Sequence, residues 1–131
     1  YRSSLSIEPV RPTHDLRIAI EVYPALLVRR YLGRTSYKSD IRAKQTAEKQ
    51  TARIELLRAL QAKAFYHEYQ LQLGLSPEFR DRLIEDVAGD ELDAVLCAIE
   101  TAWGWNQRNE NLGIPKDVDR NEGWIVCQEL Q

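Results

Sequence analysis

One stretch of this chain alternates like a β-strand, and it lies among segments that repeat like helices. In Asp15–Pro24, Ile18, Ile20 and Val22 alternate with Arg17, Ala19 and Glu21, the period-2 pattern of a strand with one apolar face. Pro24 has no N–H to give a ladder and ends it. A lone strand leaves its backbone groups unpaired, so it must add to a sheet built from other residues. The sequence therefore predicts an α/β architecture, mostly helical with one or two strands, that is the C-terminal part of a larger domain. The absence of Met anywhere, with Tyr1 as the first residue, fits that expectation. It predicts that strand neighbours come from a missing N-terminal half or from a second copy in a homo-oligomer.

The helices follow from capping and spacing. Pro24 suits a first helical turn, and Gly33 suits a left-handed cap at the end of Pro24–Leu32. A long helix is expected from Ser39 or Asp40, with Ile54, Leu57, Leu60 and Ala64 at helical spacing, continuing through Phe65–Gln72 to Gly74. Ser76 as N-cap and Pro77 at the first position start another, carrying Phe79, Leu83, Ile84 and Val87 and ending at Gly89. Leu92, Val95, Leu96, Ile99 and Trp103 give the apolar face of the next. Residues 106–123 read as a loop rich in Asn, Asp and Gly. Ser4–Val10 and Gly123–Leu130 are each expected as a short strand, or as loop and extended tail respectively.

With 131 residues, 44% hydrophobic and 29% charged, the chain has the mixture of a single soluble domain and no disorder signature. No apolar run approaches the ~20 residues of a membrane span, and no signal-peptide pattern opens it. Cys97 lies within a helical apolar pattern, so a packed, reduced thiol and a cytoplasmic setting are expected. The net charge of −2 conceals an asymmetry. From Arg29 to Lys63 there are ten Lys or Arg against three acids. Such a basic segment is either a solvated helical face or a surface that holds phosphates.

Three carboxylates stand in awkward places. Asp90 and Asp93 lie where an apolar helix begins. Both could be capping devices favoured by the helix dipole. Asp93, however, borders the apolar stripe one turn before Leu96, where an unpaired carboxylate is costly. Paired acids holding Mg2+ or Mn2+ would resolve that conflict. Glu21 raises the same question on the strand, with a solvent-facing Glu as the alternative. His14 and His67 have no metal-type spacing, and no catalytic triad, P-loop or dinucleotide fingerprint is present. Trp103 and Trp105 read as packing residues rather than base-stacking platforms.

Ile20–Gly33 (IEVYPALLVRRYLG), Tyr37-Lys38, Gly89–Trp103 (GDELDAVLCAIETAW) and Asn121–Ile125 (NEGWI) together resemble a bacterial and archaeal family of predicted nucleases with an RNase H-like fold. Its wider likeness is to RuvC-type Holliday-junction resolvases. The resemblance spans Ile18 to Ile125 and rests on Asp90–Ala94 combined with Glu21–Pro24. It implies Asp93 and Asp90 as ligands of catalytic Mg2+ or Mn2+, Glu21 as the strand acid, and Lys38 as a phosphate contact. Arg34 and Arg53 of the basic segment would join Lys38 on DNA or RNA. The implied activity is metal-assisted phosphodiester hydrolysis. The aspartate that the superfamily carries on its first strand is not among these residues. Two alternatives to hydrolysis stand beside it: a nucleic-acid-binding module without catalysis, and a helical protein-interaction module.

Overall fold

The computed structural model describes residues 5–128. It is a mixed α/β arrangement, mostly helical, with a two-stranded parallel sheet. Strand β1 is Ser6–Glu8 and β2 is Ile18–Ile20, in the register Ser6↔Ile18, Ile7↔Ala19, Glu8↔Ile20. After β1 the chain curls back, with Arg11 and Ile7 exchanging both backbone hydrogen bonds at 2.7 and 3.0 Å. The buried Ser6 hydroxyl donates to Glu8 and accepts from the Thr13 N–H, which ties down the return.

Strand β2 finds its pairing partners within this chain. Beyond its end, Glu21 bridges Ile125 in parallel, and the Val126 N–H donates to the Glu21 carbonyl at 2.8 Å. The expected lone strand is thus paired by Ser6–Glu8 and by the terminal segment, of which residues 129–131 lie outside the described residues. The ladder is shorter than the alternation suggested, because the chain leaves it at Glu21 to reach the helix start at Pro24.

Helix α1 is Pro24–Leu32, α2 is Ala47–Leu60, α3 is Lys63–Tyr69, α4 is Pro77–Glu85 and α5 is Asp90–Asn106. Short 3-10 turns occupy Arg42–Lys44 and Arg108–Gly113. Gly33 follows α1 with φ +60 but ψ −124, so its positive φ is that expected of a glycine while the left-handed cap is not formed. The single long helix expected from Ser39 to Gly74 is broken twice. Thr46 and Ala62 are both extended, and the second break turns Phe65 and Tyr69 inward, where their rings stack at 4.8 Å. Ser76 caps α4 as its sequence requires, accepting from the Phe79 N–H at 3.2 Å. That helix stops at Glu85 rather than at Gly89, which leaves Val87 exposed.

The main core lies between α1, α2, α4 and α5. Leu56, Leu57, Leu60, Leu83, Leu92 and Leu96 are each fully buried, and removal of each from water is worth about 1.5–3 kcal/mol. A second, smaller cluster of Leu112, Ile114 and Val126 packs with Ile20 and Val22 under the strands. Trp103 belongs to the rim of both clusters, so it joins them. The strands meet α5 at Gly104, where a Cβ would lie 2.9 Å from Ile20 Cδ1 and 3.1 Å from Val126 Cγ1. Glycine permits that close approach.

Candidate nucleic-acid interface

Four segments meet where α5 begins: the loop after α1, α2, the end of α4 and the first turn of α5. Arg53 joins three of them. Its Nε donates to the Ile84 carbonyl and its Nη1 to the Tyr37 carbonyl, both at 2.7 Å, and the residue is 2% exposed. Burial lowers its pKa, and nearby Asp86 partly opposes that shift. Arg53 is therefore an internal fastener rather than the phosphate contact expected of it. Its sequence held the signal, since Arg53, Leu56, Leu57 and Leu60 share one helical face at i, i+3, i+4, i+7.

With Tyr37 held by its carbonyl, the phenol of this buried residue donates to Asp93 Oδ1. Lys38 Nζ donates to Asp93 Oδ2 at 2.5 Å. Burial, then the bond to Asp93, raises the Tyr37 pKa, so the phenol stays protonated as a donor. The bond to Asp93 raises the Lys38 pKa, with Asp40 and Asp90 adding to it. The Lys38 stem crosses Gly89. A Cβ there would sit 2.7 Å from Lys38 Cδ, and φ is +80, so space and backbone both require glycine.

Neither Asp90 nor Asp93 accepts a capping hydrogen bond at the start of α5. Asp86 does that work instead: Oδ1 accepts from the Gly89 N–H at 3.1 Å and Oδ2 from the Glu91 N–H at 2.8 Å. Asp90 is exposed at the first helical position. Asp93 looks inward toward Tyr37 and Lys38. Its charge beside the apolar stripe is balanced by an ammonium and a phenol.

Glu21 is exposed, and its Oε2 lies 3.8 Å from the point a Cβ would take at Gly123. The strand approaches α5 at Gly104, and the Tyr23 backbone bonds to the Glu100 carboxyl. These points are seven and eleven residues past Asp93, or about 10 and 16 Å along the axis at ~1.5 Å per residue. Among the described residues, no group of three or more His, Cys, Asp or Glu is placed to hold a metal ion. Glu21, Asp90 and Asp93 do not converge. As arranged, they do not fit a divalent cation: both Asp93 oxygens are engaged, and a third carboxylate is not beside them.

What converges instead is positive charge. A cleft of about 690 Å³ opens between α1 and the loop that follows, lined by Arg29, Arg34, Thr35, Ser36, Tyr37 and Lys38, with Gly33, Ala25 and Val28 behind. Lys49 reaches it from α2, with Nζ donating to Ser36 Oγ at 3.3 Å. Cationic nitrogens beside two hydroxyls on one concave surface are suited to phosphate oxygens. Arg29, Thr35, Ser36 and Lys49 were not singled out from the sequence. The run of basic residues hinted at the cleft, but only the turn after Gly33 brings them together.

Elsewhere, His14 and His67 are exposed and separate. Cys97 and Cys127 are half-buried and in no disulfide, and burial raises the Cys97 thiol pKa. Trp105 is exposed with the Arg108 guanidinium 5.1 Å from its ring centre. No described helix is long and apolar enough to cross a membrane. A family model described as "Protein of unknown function (DUF429)" matches residues 8–120. No curated protein and no solved structure matches the chain.

Proposed function

The chain belongs to the DUF429 family, and we propose that it binds the phosphate backbone of DNA or RNA in the cleft between α1 and the loop after it. The observation that carries this reading is the placement of Arg29, Arg34, Lys38 and Lys49 around the Thr35 and Ser36 hydroxyls. Such contacts read the backbone and not the bases, so binding is weakly sequence-dependent and salt-sensitive. Asp93 serves the site by fixing Tyr37 and Lys38 along its wall. Fluorescence anisotropy with labelled single-stranded and duplex oligonucleotides tests this. Arg34→Glu is expected to weaken binding to all sequences alike, and undiminished binding by that variant would overturn the proposal.

A second reading is metal-dependent phosphodiester hydrolysis in an RNase H-like fold, with Asp90 and Asp93 contributing to a Mg2+ or Mn2+ site that Glu21, placed elsewhere along α5, does not join. It is favoured by one observation: Asp90 and Asp93 open α5 directly beside the basic cleft. It requires Lys38 to leave Asp93 and a further acidic group to join it. Mn2+ titration followed by magnetic resonance, with a cleavage assay on the same oligonucleotides, separates the readings. Metal-stimulated cleavage that is lost in Asp93→Asn supports hydrolysis, whereas oligonucleotide binding without cleavage leaves the chain a binding module.

A further inference from the structure

Helix α1 has a second cleft on its opposite side. Ala25, Val28 and Arg29 face the basic cleft, while Leu26, Leu27 and Arg30 face a cavity of about 310 Å³ bounded by α3, α5 and the terminal segment. Its chemistry differs from that of the first. Glu100 on α5 lines it while only 2% exposed, and its Oε2 has no hydrogen-bond partner. Gln128 lines it too, and its Oε1 is likewise buried without a partner. The Gln128 amide is oriented by its Nε2, which donates to the Glu68 carbonyl at 3.2 Å. Two acceptors are thus buried at one cavity with nothing donating to them, a costly arrangement in a folded chain.

The walls limit what could supply those donors. Arg30 brings a positive charge, but it is ion-paired with Glu68, whose other oxygen accepts from Tyr31. The Tyr69 ring is stacked on Phe65 and has the Arg30 guanidinium 5.7 Å from its centre, so it is already engaged. Trp124 has no ring partner among the described residues and lines the same cavity. Leu26 and Leu27 supply apolar surface. An indole wall, an apolar floor and two acceptors suit a small flat group that carries its own N–H donors.

We propose that this cavity binds a small planar nitrogenous ligand, of the amidine or guanidine class, whose paired N–H groups donate to Glu100 Oε2 and Gln128 Oε1. This site is independent of the phosphate cleft, since the two lie on opposite faces of α1.

Protonation provides a second check on the geometry. Burial raises the Glu100 pKa to about 7, against the opposing bond from the Tyr23 backbone. The charged or titratable groups facing it are the Arg30–Glu68 pair, Tyr69 on α3, Cys97 one turn earlier on α5, and Cys127. A donor pair binds the ionised carboxylate, so affinity must rise with pH as Glu100 loses its proton.

The probe is benzamidine, which stays cationic throughout the range used, added to the whole protein and followed through the Trp124 indole resonance. Saturable binding is expected at pH 8, and about tenfold weaker at pH 6, since only about a tenth of a group with pKa 7 is ionised there. Glu100→Gln keeps an oxygen for the Tyr23 N–H but loses the charge, so it is expected to weaken binding at least ~10-fold and to remove the pH dependence. Gln128→Leu, which also removes a buried orphan acceptor, is expected to weaken binding ~3- to 10-fold in a folded protein. Oligonucleotide binding is expected to be unchanged in both variants. Absence of benzamidine binding at pH 8 overturns the proposal. So does binding of wild-type strength in both variants, or binding that strengthens as the pH falls.

Discussion

Replacing Asp93 by Asn tests how the start of α5 is held. The change removes the charge while keeping the shape. One Asn oxygen can still accept from the Tyr37 phenol, but that bond passes from ionic, at about 1.5–3 kcal/mol, to neutral, at about 0.5–1.5. The amide nitrogen then faces the Lys38 ammonium, donor against donor. Loss of that ion pair is worth about 0.5–1 kcal/mol, discounted because the two side chains are 35% and 26% exposed. Loss of a negative charge in the first turn of α5 adds about 0.3–1 kcal/mol. The total is about 2–3 kcal/mol. Urea denaturation at pH 7 measures it, with Asp90→Asn as the control. Asp90 makes no such bond, so its substitution is expected to cost about 0.5 kcal/mol or less. In a Lys38→Met background the Asp93→Asn cost is expected to shrink by about 0.5–1 kcal/mol. Equal costs for the two aspartates would refute the reasoning, as would the same Asp93→Asn cost with and without Lys38.

Arg53→Met leaves the Tyr37 and Ile84 carbonyls without their buried donor and is expected to lower stability by about 3–5 kcal/mol, read by the same denaturation. Gly89→Ala forces a positive φ on a residue with a Cβ and drives it into the Lys38 stem. It is expected to cost about 1–2 kcal/mol from the backbone alone, and Lys38→Ala is expected to relieve only the part of any excess due to Lys38 Cδ, because the Cβ of residue 38, 2.8 Å away, remains. Glu100 has a folded pKa above its unfolded value of 4.5, so its contribution is fully present below pH 4.5 and is lost as pH rises through about 7. At ~1.36 kcal/mol per pH unit that loss is about 3 kcal/mol, and unfolding free energies measured between pH 5 and 8 are expected to fall less steeply in Glu100→Gln.

The helices were legible where a local device marks them. Ser76 with Pro77 starts α4, and Leu92, Leu96 and Ile99 define the buried face of α5. What local pattern could not reveal was set by distant partners. The break after α2, at Ala62, turns Phe65 and Tyr69 inward, and good helix formers on either side concealed it. Asp86 falls inside the helix that the sequence predicts as far as Gly89, so nothing marks it as the cap of α5; it is free for that role because α4 ends at Glu85. β2 looked solitary because its neighbours come from two short segments, Ser6–Glu8 and the bridge at Ile125, too brief for a periodicity to emerge. Of the site, Asp93 and Lys38 stand out in the sequence as candidates, but their bond to each other does not. Arg53 looked like one more surface cation until its place on the Leu56–Leu57–Leu60 face is considered. Glu100 lies one turn after Leu96 on the buried face of α5, the same signal of spacing that Arg53 carries on α2.

The central claim is that the cleft beside α1 holds nucleic-acid phosphates, and the salt dependence of binding tests it most directly. The logarithm of the oligonucleotide association constant is measured against the logarithm of salt concentration for the wild type and for Arg29→Ala/Arg34→Ala/Lys49→Ala. Each phosphate contact contributes about 0.7–0.9 to the slope, so the triple variant is expected to bind more weakly with a slope shallower by about 2–3. A control variant, Arg58→Ala/Lys63→Ala, removes two cations of the same basic segment that do not line the cleft and is expected to change the slope little. An unchanged slope in the triple variant, or an equal loss in the control, would contradict the account.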